Sequence, residues 1–111
     1  MFNIYGQYAS STIDALDLAS GVTVNATANN TINLLADAGS TDENMYIDIN
    51  SNELSNVNIN NSGYTVTAED AWNLAGDLTI TAGTLNKASN NLNLEGSFSN
   101  SGTFTTTGGT I

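Results

Sequence analysis

The apolar residues of this chain fall into short alternating pairs, and the pairs recur. Leu78-Thr79-Ile80-Thr81 alternates apolar and polar side chains, the two-residue period of a strand with one buried face. Asn73-Leu74-Ala75-Gly76-Asp77-Leu78 returns, position for position, as Asn93-Leu94-Glu95-Gly96-Ser97-Phe98. Gly63, Gly83 and Gly102 keep nearly the same spacing, and so do Trp72, Leu92 and Ile111. Asn61-Ser62-Gly63 comes back two periods on as Asn100-Ser101-Gly102. Nearer the N-terminus, Leu16, Leu18, Val22 and Val24 have the spacing of Trp72, Leu74, Leu78 and Ile80, and Ile32/Leu34 take the part of Leu92/Leu94. Ile47/Ile49 form another pair, and Val57/Ile59 match Leu78/Ile80 with one position of slack. Units start near residues 16, 32, 47, 72, 92 and 111, with the irregularity concentrated between residues 35 and 56.

Each apolar pair is followed by Gly, Asn, Asp or Ser, residues that permit a sharp corner. Three short strands per unit, with a corner after each, describe one turn of a coil. The pattern therefore predicts an all-β fold: a parallel β-solenoid (β-helix) of about five coils of roughly 20 residues over residues 16–111. At ~4.8 Å per rung such a body is about 24 Å long. The competing architecture, an antiparallel sandwich of short strands, predicts no such long-period register. Residues 1–15 stand outside the repeat and read as an N-terminal cap or docking segment, with three of the eight aromatic residues at Phe2, Tyr5 and Tyr8. Ser11 and Asp14 offer a cap for a short helix through Leu16, but the repeat favours a strand there.

Composition sharpens this picture. Apolar residues number 44, and Asn, Thr and Ser together also number 44. Thr suits a pleated surface and Asn suits turns, whereas helix-forming polar residues are scarce. There is no Pro, as expected where interior strands use every backbone N–H. Without His or Cys the chain has no Ser-His or Cys-His nucleophile system, no thiolate metal site and no disulfide. One cationic side chain, Lys87, against eleven carboxylates gives a net charge of −10, which argues against nucleic acid and anionic membranes as partners. No apolar run reaches the ~20 residues of a membrane helix, and no signal peptide is visible after Met1. The Asn/Thr/Ser-rich composition favours a secreted origin nonetheless.

The segments Asn73-Leu-Ala-Gly-Asp-Leu-Thr-Ile-Thr-Ala-Gly-Thr-Leu and Gly96-Ser-Phe-Ser-Asn-Ser-Gly-Thr-Phe resemble coils of bacterial surface β-solenoids, the filamentous-haemagglutinin-type adhesins and related passenger domains. The resemblance covers residues 57–111, and residues 16–34 by spacing. It implies an extracellular or cell-surface stalk, used for adhesion or as scaffold; that the chain is no enzyme is expected from its own residues, since about five coils must already form the core.

Candidate sites follow from chemistry and position. The carboxylate pairs Glu69/Asp70 and Asp42/Glu43 have the residue types of a glycosidic acid–base pair, but solvated corners account for them better. Asp42, Glu43, Asn44 and Asp48 place several hard oxygens in the least regular stretch, a candidate calcium site; no other cofactor is expected. Sequons at Asn25, Asn29 and Asn60 match the roughly four that chance gives at this composition. With Val57, Leu78 and Phe98 turned inward, Asn58/Asn60, Thr79/Thr81 and Ser99/Ser101 form one outward face of amides and hydroxyls that is a candidate glycan surface; its changing residue type disfavours ice. Trp72 shares the inward position of Leu92 and reads as core. Ile111 falls where a new coil begins, which leaves an uncapped β edge. That edge, with Phe2, Ile4, Tyr5 and Tyr8 as the docking element, makes a second copy of the chain the expected partner. The sequence thus points to a structural module that joins end to end, with a glycan-binding module and a calcium-stabilised repeat as alternatives.

Overall fold

The computed structural model describes residues 2–6, 16–17, 30–36 and 44–111. Among them there is no helix, and eleven strands follow one another. They are β1 (Phe2–Gly6), β2 (Leu16–Asp17), β3 (Thr31–Ala36), β4 (Met45–Asp48), β5 (Glu53–Leu54), β6 (Asn56–Ala68), β7 (Trp72–Leu74), β8 (Leu78–Asn86), β9 (Leu92–Leu94), β10 (Phe98–Asn100) and β11 (Thr103–Thr105). Every described strand pair is parallel. The fold is all-β, as the alternation and the Thr-rich polar positions predicted.

Three ladders account for the pairing. One runs β1, β3, the first half of β6, the first half of β8 and β10, so that Ile32, Val57, Leu78 and Phe98 stand in one row. A second runs β2, β4, the second half of β6, the second half of β8 and β11, with Met45, Val66, Leu85 and Phe104 in a row. The third is β5, β7 and β9, with Leu54, Leu74 and Leu94 in a row and Trp72 opposite Leu92. Like residues therefore stack on like, because a ladder repeats one residue's environment at its neighbour.

The offset predicted for Trp72/Leu92, Leu74/Leu94 and Leu78/Phe98 is the observed register. Two assignments near the N-terminus need correction. Ile32/Leu34 pair with Val57/Ile59 and so belong to the row of Leu78/Ile80, not to that of Leu92/Leu94. Leu16 pairs with Ile47, whose other neighbour is Ala68, so it does not share a ladder with Trp72. Residues 2–6, expected outside the repeat, form the outermost described strand of the first ladder, with Ile4 opposite Leu34. Leu16–Asp17 is a strand, as the repeat favoured over a helix.

The core is built from the inward rows: Ile4, Leu34, Ile59 and Ile80 in one, Met45, Val66 and Leu85 in another, Leu54 and Leu74 with Trp72 and Leu92 in the third. Trp72 is buried as expected, and its Nε1–H has no hydrogen-bond partner. The outward rows carry amide ladders. Asn33 Nδ2 donates to Asn3 Oδ1 (3.0 Å), Asn58 Nδ2 to Asn33 Oδ1 (3.1 Å), and Thr81 Oγ1 to Asn58 Oδ1 (2.8 Å), a chain across four strands. Asn93 Nδ2 donates to Asn73 Oδ1 (2.7 Å) in the third ladder. Lys87, the sole cationic side chain, is 3% exposed, and its Nζ donates to the carbonyl oxygens of Asn90 (2.7 Å) and Gly108.

Candidate functional site

Two places combine accessible surface with unusual geometry. The first is the outer layer of the ladders at their C-terminal side. Phe98 is 41% exposed, whereas Val57 and Leu78 in the same row are 2% and 0% exposed. The difference comes from stacking alone, since among the described residues no strand lies beyond β10. Phe98 packs edge-on against Phe104, with ring centroids 5.4 Å apart, and Phe104 and Leu94 are only partly covered. Leu92 N–H donates to the Thr110 carbonyl (2.9 Å) as Trp72 N–H donates to that of Asn91 (3.0 Å). Ile111 thus lies in register with Leu92 and is 68% exposed. This layer is not wholly apolar. Asn100 pairs with the inward Ile80 and so occupies a core position; its Oδ1 instead accepts from the Gly102 N–H (3.0 Å) and closes a turn.

The second place lies where β6 and β8 pass from the first ladder to the second. Ile59 and Thr65 of β6 are opposite Ile80 and Thr84 of β8, which are in turn opposite Asn100 and Thr103. The step is covered by residues 60–64 in β6, by 81–83 in β8 and by 101–102 after β10, so each bulge is shorter than the one before. The shortening leaves a stepped recess of about 470 Å³, lined by Gly63, Tyr64, Thr81–Thr84 and Ser101–Thr103. Its floor is backbone. A Cβ on Gly83, which has φ +88°, would collide with the Asn61 carbonyl, and one on Gly102 would lie 2.5 Å from the Gly83 carbonyl oxygen. Only glycine lets the three bulges stack this closely.

The sequence-derived candidates are distributed as follows. Asn58, Thr79 and Ser99 are opposite one another on the outward side of the first ladder. Asn60, however, pairs with Ala82 rather than Thr81, because the register shifts after Ile59; the expected row of Asn60, Thr81 and Ser101 is broken there. Thr81 and Ser101 line the recess instead. Asn58 and Thr81 are also tied into the amide ladder. Of the calcium candidates, Asp42 and Glu43 lie outside the described residues. Asn44 Oδ1 accepts from the Thr65 N–H (2.8 Å), and Asp48 Oδ1 from the Asn50 N–H (2.7 Å). Among the described residues no three acidic side chains gather as a metal site would require. Asp70 is a structural clamp: its carboxylate accepts from the backbone of Ile49 (3.1 Å) and Ser51 (2.6 Å) on the neighbouring turn. Tyr8, Asn25 and Asn29 lie outside the described residues; Phe2, Ile4 and Tyr5 are in β1.

Tyr64, Thr84 and Thr103 are not singled out by the sequence. The glycines beside them are visible only as period markers, and nothing in a linear pattern reveals that successive bulges shorten. No family model matches the chain, and neither a curated protein nor a solved structure shows significant similarity to it.

Proposed function

We propose that the chain is a non-enzymatic structural module, a parallel β-solenoid of about five coils of roughly 20 residues whose outer layer is covered by a second copy. The solenoid reading is supported by the three ladders and by the near-constant offsets at which β6, β8, β10 and β11 pair. The observation that carries end-to-end joining is the half-covered Phe98 beneath the fully buried Leu78. A strand laid on β10 would pair its open backbone edge and cover the part of that ring still exposed, 41% of the residue, which stabilises by about 1 kcal/mol.

β1 is the segment suited to the task. It is the outermost described strand at the other side of the same ladder, and it runs parallel to β10. A translation along the ladder therefore brings β1 of one copy onto β10 of the next without any reversal. Such a contact is heterologous, head to tail, and repeats without closing unless a rotation intervenes. A stalk or filament at the cell surface or outside the cell is the setting that suits it, in keeping with the resemblance of residues 57–111 to surface solenoids and with the Asn/Thr/Ser-rich exterior.

Electron microscopy and sedimentation of the purified chain test this. Expected are rods whose length grows with concentration, and their loss in Phe98→Asp and on deletion of residues 1–10. A species that stays monomeric at every concentration, whether or not residues 1–10 are present, would overturn the proposal.

A further inference from the structure

We infer that the stepped recess between the bulges of β6, β8 and the β10–β11 turn is a binding site for a neutral oligosaccharide chain. The argument begins with what the recess excludes. Its lining residues include no carboxylate and no cation, in a chain of net charge −10. An anionic ligand meets only a repelling field there, and a metal cation meets no charged oxygen. An apolar ligand fares little better, because apart from Tyr64 the walls are hydroxyls, glycine backbone and a single alanine.

What the lining offers is the complement of a sugar. Thr84, Ser101 and Thr103 carry hydroxyls that both donate and accept, as sugar hydroxyls do, while Thr81, whose hydroxyl hydrogen goes to Asn58 Oδ1, adds an acceptor. Tyr64, half-buried beside Gly63, adds an aromatic ring with a polar tip, a surface that fits the C–H face and the hydroxyl rim of a pyranose. The volume of about 470 Å³ falls within the ~300–1,000 Å³ of small-ligand sites.

Shape favours a polymer over a single sugar. The recess is open rather than enclosed, so a ligand passing through it stays solvated on its outer side. Thr84 and Thr103 are direct partners on adjacent strands, so their hydroxyl-bearing positions are one strand spacing apart, ~4.8 Å. That step is close to the length of one hexose unit in an extended chain, and successive sugars can meet equivalent rungs. The glycines contribute by keeping side chains off the floor. The site is complete within one chain and does not depend on end-to-end joining.

The test is backbone-resolved NMR of the full chain titrated with cellohexaose, xylohexaose, maltohexaose and mannohexaose, with oligogalacturonate as the anionic comparison. Expected are shifts confined to residues 63–64, 81–84 and 101–103 with at least one neutral hexasaccharide. Tyr64→Ala should weaken binding about tenfold, Tyr64→Phe should retain most of it, and Thr84→Val with Thr103→Val should weaken it by a similar factor. The phenylalanine variant separates loss of the ring from loss of the fold. Absence of shifts with all four neutral chains at millimolar concentration overturns the inference. So do shifts centred elsewhere, stronger binding of the galacturonate, or affinity unchanged by Tyr64→Ala.

Discussion

Gly63 and Gly83 lie one period apart in the sequence, each in a bulge before the paired Thr65 and Thr84, and share a positive φ, +84° and +88°. They differ in what a side chain would meet. A Cβ on Gly63 has nothing within 4 Å, while one on Gly83 strikes the Asn61 carbonyl and approaches the Tyr64 carbonyl oxygen at 3.2 Å. Gly63→Ala should therefore cost only the left-handed backbone strain, about 1 kcal/mol, and Gly83→Ala about 3 kcal/mol or more, since overpacking adds to it. Urea unfolding of the two variants measures the difference, and equal losses would contradict the stacked-bulge geometry. The sequence shows both glycines as markers of one period and cannot rank them, because rank depends on the length of the neighbouring bulge. Left-handed backbone at Asn50 and Ser51 is likewise foreshadowed only as a class of corner residues.

At the scale of the element, strands are held to their neighbours by side chains that reach across to backbone. Asn56 Oδ1 accepts from the Asp77 N–H (2.8 Å), and Asp77 Oδ1 from the Ser97 N–H (2.8 Å), so each turn entering the first ladder caps the next. Asp70 does the same work between the start of β7 and the turn after β4. It grips Ile49 and Ser51, while Asn52 N–H closes the turn onto the Ile49 carbonyl (2.9 Å). Ile49 is fully buried, so removing its acceptor leaves a donor without water. Asp70→Ala should lower stability by about 2–3 kcal/mol and Asp70→Asn, which keeps one acceptor oxygen, by about half that. Thermal melts of the pair decide, and a neutral alanine would show that the clamp contributes nothing.

These elements also show where the sequence was legible. From Trp72 onward the offset between paired strands is nearly constant and alike residues recur, so the register can be read directly. Earlier it is longer and uneven: Asn3 faces Asn33, Asn33 faces Asn58, and Leu16 faces Ile47. Ile32/Leu34 consequently reads as a member of the wrong ladder. An Ile-x-Leu pair has the alternation of any inward-facing strand, and only a constant period says which ladder it joins.

For the molecule as a whole, charge and layering act together. All charged side chains other than Lys87 are acidic, so copies approaching side by side repel, whereas the outer layer at β9–β11 presents Phe98, Phe104, Leu94 and Ile111. In the proposed end-to-end joining, contact falls on that layer, where Asn100 is a polar interruption at a core position. The sequence places Leu94 and Phe98 in this layer by their period. The recess it disclosed only in part, through Thr81 and Ser101, because the shape arises from strands of unequal length and from no single residue.

Burial of Lys87 has one more consequence. The chain has no Arg and no second Lys, so trypsin has a single bond to cut, Lys87-Ala88, at the end of β8. That lysine is enclosed, with its ammonium held by carbonyls of two successive turns. Cleavage therefore requires the layer carrying β9–β11 to peel away first, and its rate reports how often that layer opens. The native chain should resist trypsin under conditions that split the urea-unfolded chain into residues 1–87 and 88–111. Rapid cleavage of the native chain would mean that the last layer is loosely held. Capping of that layer by a second copy should slow the cut further, which makes one protease site a gauge of the joint between subunits.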